Sequence, residues 1–223
     1  QVVHFESPNP RPMRAWILGV NAALPDDLRV LWAREVPDDF HARYSAIARC
    51  YQYVILNRPT QSALQRTQVT WCFRSLDERR MQDAAGCLAG EHDFSSFRAQ
   101  YCQSTSPFRR MYFVDVRREG ERVIIEMAAN AFVHHMVRNI AGMLIAIGAG
   151  QCEPHAMRQV LEARDRSVAG VTAPPHGLYL SGIFYPARFQ LPSNPVFSRL
   201  PADAARFQPA VADYDVSLAA NSR

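Results

Sequence analysis

The most strongly apolar part of the chain lies between Met127 and Cys152, where no Asp or Glu occurs and Arg138 is the single Lys or Arg. A rotation of 100° per residue places the large apolar side chains of residues 132–147 on one broad face of a helix. That face comprises Phe132, Met136, Ile140, Met143, Leu144 and Ile147. The rest of the helix surface is also nearly apolar, so the pattern predicts a helix that is covered on both sides.

Shorter apolar patterns predict strands and helices along the rest of the chain. Alternating or β-branched segments indicate strands, whereas a repeat of three to four residues indicates a helix. The predicted strands are residues 1–5, 28–36, 47–56, 110–118, 122–129 and 178–185. The predicted helices are residues 14–22, residues 76–89 with Ser75 or Asp77 as the cap, and a short helix that begins at Pro154. Glu119-Gly120 predicts a tight hairpin turn.

The order of these segments predicts an α+β fold. From residue 41 onward it reads β-α-β-β-α-(α)-β, the split βαβ arrangement, in which an antiparallel sheet carries helices on one face. Residues 1–40 resemble the back half of the same arrangement. We therefore predict two related ferredoxin-like halves, with residues 1–40 as the remnant of a truncated first half and residues 41–188 as the second. Residues 189–223 contain repeated prolines and are predicted to be a loosely ordered tail.

The start of the chain suggests that residues precede it. Gln1 is not a Met, and it opens directly into a predicted strand with no basic and apolar leader. A native chain rarely begins inside a strand, so we expect a missing upstream segment.

Composition narrows the functional classes. All 25 Lys and Arg residues are Arg, which excludes Schiff-base lysines and the phosphate-binding lysine of a P-loop from this chain. The net charge of +4 favours a polyanionic partner such as RNA. The five cysteines form no Cys-x-x-Cys pair, and no apolar run is long enough to span a membrane. We expect reduced thiols in a cytoplasmic protein, with neither a zinc site nor a disulfide framework among the cysteines and no membrane segment.

Arg138 is the first candidate for chemistry. A guanidinium in an apolar helix needs a carboxylate or a phosphate as partner. The positions one turn away are His134, His135, Ala141 and Gly142, and none of them is acidic. The partner must therefore come from another part of the protein.

Tyr51 and Tyr53 are the second candidate, because residues two apart on a strand point to the same side of the sheet. They could pack in the core or offer a platform on which a nucleobase stacks. Arg49 shares their face, and Arg43 precedes the strand. Cationic neighbours suit a flipped nucleotide better than a dry core.

Other positions are candidate RNA contacts, each with a structural alternative. Phe97 and Arg98 lie in an aromatic loop that could face RNA or simply be anchored by its rings. Arg109 and Arg110 belong to a basic patch that could bind phosphates or be a solvated face.

His134 could contact a phosphate or a substrate carbonyl, or be an ordinary core histidine. A metal site at His134-His135 is disfavoured, because adjacent helical residues point about 100° apart and no further ligand accompanies them.

Several segments together resemble the bacterial tRNA pseudouridine synthases that act on positions 38 to 40 of the anticodon arm. The resemblance covers the chain from Gln1 to about Tyr185 in order. The matching segments are QVVHF at 1–5, GVNA at 19–22, DFHAR at 39–43, RCYQY at 49–53, DFSSF at 93–97, NAFVHHMVRN at 130–139 and GLYL at 177–180. No single segment is decisive, but the set is specific.

The resemblance implies a homodimer that isomerises uridine to pseudouridine without metal or cofactor. It implies that Arg138 pairs with the nucleophilic aspartate, that Tyr51 stacks on the uracil and assists proton removal from C5, and that Leu178 forms an apolar wall. The remaining Arg-rich surface would hold the tRNA stem by its phosphates.

The family aspartate lies in a Gly-Arg-Thr-Asp-Ala-Gly-Val-His loop that this sequence does not contain. We therefore expect the chain as given to be inactive, with Arg138 charged and unpaired.

Two other functions stay open at this point. The first is a non-catalytic RNA-binding ferredoxin-like module that uses stacking and phosphate contacts only. The second is a small-molecule enzyme with His134 or His135 as general base, which would not respond to RNA.

Overall fold

A six-stranded mixed sheet carries helices on one face in the computed structural model, which describes residues 1–192 and residue 200. The strands are β1 Ala48–Asn57, β2 Thr70–Cys72, β3 Gly90–Asp93, β4 Phe108–Glu119, β5 Arg122–Ala129 and β6 Leu178–Phe184. The helices are α1 Met13–Ala23, α2 Glu78–Ala85, α3 Met136–Gly148 and α4 Ala156–Ala163. The coarse prediction of an α+β fold is confirmed.

Strand β1 lies at the centre of the sheet. One edge pairs with β5 along the whole hairpin strand, in an antiparallel register that places Tyr51 opposite Met127. The other edge is shared, because Ala48 to Tyr53 pair antiparallel with β6 while Ile55 to Asn57 pair parallel with β2. The short β2 and β3 were not predicted, and the expectation of an entirely antiparallel sheet was wrong at β2.

The pairing of β1 with β6 contains a bulge. Tyr51 is opposite Leu180 and Cys50 is opposite Gly182, so Ser181 is an extra residue in β6. Leu178 remains directly opposite Tyr53.

The core forms where the helices cover the sheet. Tyr53 and Ile55 of β1 and Ile125 of β5 are fully buried beneath the apolar face of α3. The predicted face is confirmed from Met136 to Ile147, although Phe132 precedes the helix and is only half-buried. Helix α2 begins at the predicted cap, where the Asp77 carboxylate accepts hydrogen bonds from the backbone N–H groups of the first turn.

The predicted strands 1–5 and 28–36 are wrong. Neither segment pairs with the described sheet, and α1 between them has no buried residue. The side chain of Asn21 bonds both backbone groups of Val30, with distances of 2.9 Å and 2.7 Å, and so occupies the groups that a neighbouring strand would use. The arrangement as two related split βαβ halves therefore remains a prediction.

The predicted tail boundary is also corrected at its first residue. Phe189 is buried, and its ring centroid lies 5.0 Å from that of Phe40. The Phe40 ring centroid lies 5.2 Å from that of Tyr185. Leu200 packs against the apolar cluster on the sheet face opposite the helices. The rest of the predicted tail, residues 193–199 and 201–223, lies outside the described residues. Within the described part, no helix has the length and apolarity needed to cross a membrane.

Residues 169–177, here called the crossing segment, lead from α4 to β6 across the start of α3. The segment lies so close to α3 that a Cβ on Gly142 would be 2.0 Å from the Val171 carbonyl oxygen. At its end Gly177 has a φ of +89°, and a Cβ there would be 2.4 Å from the Val54 carbonyl oxygen. Both contacts are with backbone, so glycine is required at each position.

We expect Gly142→Ala to lower the free energy of unfolding by about 1–3 kcal/mol, because the added methyl group must displace the backbone of the crossing segment. This outweighs the gain in helix propensity of about 1 kcal/mol. Urea denaturation measures the difference. Gly86→Ala is the matched control, since Gly86 is helical in conformation and has nothing within 4 Å of its added Cβ. Equal stability of Gly142→Ala and Gly86→Ala would contradict the close approach.

Candidate active site around Arg138

Arg138 lies on the first turn of α3, and its guanidinium is held by two groups. Its Nε donates a 2.7 Å hydrogen bond to the Ala173 carbonyl of the crossing segment, and its Nη1 is 3.3 Å from His135 Nε2. The Ala173 N–H in turn donates to the Arg138 carbonyl at 3.1 Å. The side chain is half-buried rather than fully buried.

The groups that hold Arg138 are a backbone carbonyl and an imidazole, and no carboxylate among residues 1–192 forms an ion pair with it. That Arg138 is a cation without a counter-charge stays a prediction. Guanidinium carries five N–H donors, so further donors remain for an anion. The arrangement suits a carboxylate or phosphate that approaches from outside the described residues.

His134 and His135 form the turn that precedes α3. His135 has a φ of 62°, a left-handed conformation, and its ring lies 4.0 Å from that of His134 at an angle of 33°. The argument that the two residues diverge by a helical rotation was therefore wrong, because His135 is not yet in the helix. Among the described residues, no group of three or more His, Cys, Asp or Glu side chains could hold a metal ion.

Tyr53 connects the sheet to the crossing segment. Its hydroxyl lies 2.5 Å from Thr70 Oγ1 and donates to the Pro174 carbonyl at 2.8 Å, while Thr70 Oγ1 donates to the His176 carbonyl at 2.5 Å. Burial raises the pKa of Tyr53 to about 12, against the opposing effects of the Thr70 hydrogen bond and the charge of Arg138. Tyr53 is therefore a neutral hydrogen-bond donor that lies near Arg138.

Tyr51 and Leu178 lie on β1 and β6, on the helix-covered side of the sheet. Tyr51 is half-buried and meets Phe132 edge to face, with ring centroids 5.0 Å apart. Burial raises the pKa of the Tyr51 phenol, and the charge of Arg49 opposes that rise. Leu178 is half-buried against the same core and lies opposite Tyr53 in the register. Tyr51 and Leu178 thus both pack against the helix-covered core, and Leu178 directly follows the crossing segment that Arg138 bonds.

Comparisons with known proteins give the same family as the motifs. Residues 84–186 match the model of the tRNA pseudouridine synthase family. The tRNA pseudouridine synthase A of Methylococcus capsulatus is 61% identical over 209 residues, which is 94% of this chain and 77% of that protein. The proteins of the same name from Photobacterium profundum and Pseudomonas aeruginosa are 55% and 51% identical, over 88% and 87% of this chain and 75% and 68% of their own lengths.

The chain belongs to the tRNA pseudouridine synthase A family. By family it is an isomerase, as the resemblance implied.

The structure corrects two of the RNA contacts expected for this family member. Phe97 is fully buried and packs with Phe94, so the alternative reading of an anchoring ring is right. Arg109 is only 1% exposed, and it donates to the Phe108 carbonyl and to Ser104 Oγ, each at 2.5 Å. Neither side chain can reach RNA in this conformation. Both lie near turns, where sequence alone does not distinguish an anchor from an exposed contact.

The other expected RNA contacts are at least partly accessible and remain predictions. Arg43 and His134 are exposed, whereas Arg49, Arg98 and Arg110 are half-buried. Arg49 donates to the carbonyls of Asn130 and Arg43, the first at 3.1 Å. Arg98 donates to two carbonyls of the loop that follows it.

Sequence analysis missed the parts that hold Arg138 in place. Thr70, Ala173 and Pro174 were not singled out, because two of them act through backbone carbonyls that any residue supplies. Tyr53 was noted only as the partner of Tyr51 on one sheet face. Its spacing from Tyr51 was the one available signal.

We expect Tyr53→Phe to lower the free energy of unfolding by about 1–3 kcal/mol, because the Pro174 carbonyl loses its buried donor. Amide hydrogen exchange in the crossing segment should accelerate more than exchange in β4. Tyr179→Phe is the control, since its hydroxyl donates to the Gln68 carbonyl from an exposed position. That change should cost less than about 0.5 kcal/mol. Unchanged exchange at Ala173 would contradict the role assigned to Tyr53.

Proposed function

We propose that this chain forms the uridine-binding part of an enzyme that converts uridine to pseudouridine at positions 38 to 40 of the tRNA anticodon arm. The observation that carries the proposal is the half-buried guanidinium of Arg138. It is held in one orientation by Ala173 and His135, and it has no acidic partner among the described residues.

In this proposal Arg138 binds the nucleophilic aspartate. An opposite charge at hydrogen-bond distance lowers the pKa of a carboxyl group, so the aspartate stays ionised at neutral pH. A guanidinium fork also fixes the orientation of a carboxylate through two parallel hydrogen bonds. The donors of Arg138 that Ala173 and His135 do not use are the ones available for this pair.

Tyr51 and Leu178 hold the flipped uracil. The Tyr51 phenol is neutral at pH 7, as any tyrosine of ordinary pKa would be, and burial raises its pKa further. Its ring can stack on the base, a contact that contributes about 1–3 kcal/mol. During the reaction the bond from C1′ to N1 breaks, the uracil rotates and a bond from C1′ to C5 forms. C5 then loses its proton and the released N1 gains one, so the isomerisation balances, and Tyr51 assists the removal at C5.

The aspartate itself is not supplied by the acids that the structure describes near the sheet. Asp93 accepts a hydrogen bond from the Ser95 N–H and lies 3.7 Å from Arg164, away from Arg138. The family loop that carries the nucleophile is absent from the 223 residues. We propose that the polypeptide as given needs this loop to act.

A loop fusion tests this assignment. We expect the 223-residue polypeptide to form no pseudouridine in an anticodon-arm RNA, measured by mass spectrometry after chemical labelling. A fusion that places a segment with the Gly-Arg-Thr-Asp-Ala-Gly-Val-His loop ahead of Gln1 should form it. Pseudouridine formation by the unfused polypeptide would contradict the need for the loop.

In the loop fusion, Arg138→Ala should lower the rate by roughly a hundredfold or more, because the carboxylate loses its fixed cation. Arg138→Lys should restore little, since a lysine cannot form the fork. Arg158→Ala is the control, because Arg158 is exposed on α4 and forms a single long ion pair, 4.0 Å from Glu162. Equal rates for Arg138→Ala and Arg158→Ala would refute the role of Arg138.

The exposed arginines are proposed to bind the phosphates of the tRNA stem. Arg43 precedes β1 and is exposed, so Arg43→Gln should reduce the salt slope of RNA binding by about 1. Arg58 follows β1 at the opposite end of the strand and pairs with Glu121 at 3.0 Å. Arg58→Gln should leave the slope unchanged. Filter binding at several salt concentrations measures both.

Homodimerisation and a cytoplasmic location are also proposed, on the family resemblance and the free cysteines of the described chain. Analytical ultracentrifugation of the loop fusion tests the dimer. A non-catalytic RNA-binding module remains the second candidate, because the nucleophile is absent from these residues. It predicts salt-dependent binding to RNA stems but no isomerisation by the loop fusion.

A further inference from the structure

The left-handed conformation of His135 needs an explanation. A φ of 62° is uncommon for residues other than Gly, although Asn, Asp and His adopt it more often than the rest, and it costs of the order of 1 kcal/mol or more. His135 precedes α3 directly, and its carbonyl accepts the Asn139 N–H at 2.9 Å as the helix begins. Its side chain lies half-buried beside Arg138. A strained residue adjacent to the proposed site is expected to have a role that offsets the strain.

The contact between the two side chains fixes the state of the imidazole. His135 Nε2 is 3.3 Å from Arg138 Nη1. A guanidinium has only donors, so Nε2 must be the acceptor and must carry a lone pair. The imidazole is then neutral, with its proton on Nδ1. A protonated His135 would place two donors and two positive charges face to face.

The surroundings of His135 favour the neutral form. The titratable and charged groups that face it are His134 in its own turn, Arg138 on α3 and Arg166 on the segment after α4. Cys102, from the loop after β3, contacts the backbone N–H of His134 at 3.3 Å. Burial lowers the pKa of His135, and electrostatic interactions with His134, Arg138 and Arg166 lower it further.

We propose that His135 is a positioning residue, whose unprotonated Nε2 fixes the rotation of the Arg138 guanidinium and thereby aims its free donors at the catalytic carboxylate. Ala173 holds Nε and His135 holds Nη1, so the guanidinium plane is defined by two acceptors. Protonation of His135 removes one acceptor and adds a repelling charge. This proposal rests on the proposed function of Arg138.

Nitrogen NMR of the 223-residue chain tests the contact without any activity. We expect the ring nitrogens of His135 to show the tautomer with the proton on Nδ1 and to titrate with a midpoint below 6.5. The Arg138 Nε–H signal should shift with the same midpoint. A proton on Nε2, or a midpoint at or above 6.5, would overturn the proposal.

Variants distinguish the effect of the acceptor atom of His135 from the effect of its side-chain size. His135→Gln can place an amide oxygen near the position of Nε2 and should retain the Arg138 signal of the native chain, without its pH shift. His135→Asn tolerates the left-handed backbone but is too short to reach, so the signal should move. His155→Gln, at the exposed start of α4, is the matched control and should change neither. Thermal unfolding identifies any variant that fails to fold.

Kinetics of the loop fusion give the second readout. His135→Asn should lower kcat roughly tenfold with little change in KM, because a hydrogen bond to a charged group is lost. His135→Gln should restore most of kcat and abolish the loss of activity at acid pH that the native histidine imposes. A loop fusion that forms no pseudouridine would refute the proposed function and leave the NMR result to decide the contact. If an active His135→Gln variant still loses activity at acid pH, protonation of His135 is not the cause of that loss, and the positioning role is contradicted.

Discussion

Two reciprocal hydrogen bonds between Arg138 and Ala173 are the interaction on which the candidate site depends. The side chain of Arg138 donates to the Ala173 carbonyl, and the Ala173 N–H donates to the Arg138 carbonyl. Each bond satisfies a polar group at the contact between α3 and the crossing segment, where an unpaired group would be costly. Thr172 adds a 2.6 Å hydrogen bond to the buried side chain of Asn139. The guanidinium is therefore oriented by the fold before any ligand binds, which is the condition for effective electrostatic stabilisation.

Sequence periodicity predicted the parts of the fold that bury a regular apolar face. The α3 face and the hairpin of β4 and β5 followed directly from it, since helical and alternating patterns have distinct periods. The three-residue β2 was too short to have a pattern, and its pairing depends on a distant strand. The opposite error arose at residues 28–36, where an alternating pattern was present but the Asn21 side chain bonds Val30 instead. A strand requires a partner edge, and a single segment does not contain that information.

The residues of the candidate site also fall into those that the sequence could identify and those that it could not. Arg138 and Tyr51 were identified from the charge pattern and the strand spacing, and Leu178 from a family motif. In the structure Arg138 bonds the crossing segment and Leu178 directly follows it. Arg109 was misassigned, because a sequence shows the charge of a guanidinium but not the carbonyl and hydroxyl groups that allow it to be buried. The hydrogen bond from Arg138 to Ala173 could not be predicted, because its acceptor is the backbone carbonyl of a residue with no functional side chain.

Because of the bulge at Ser181, the two halves of β6 pack into apolar clusters on opposite faces of the sheet. In a regular strand without a bulge, Leu178 and Phe184 would point to the same side of the sheet, because they are an even number of positions apart. With the bulge, Leu178 packs against the helix-covered core, while Phe184 fills the cluster on the far side with Ala48 and Cys50. The extra residue therefore shifts the alternation by one position, so that the leucines in the first half of β6 face the helices although the second half is anchored on the other side.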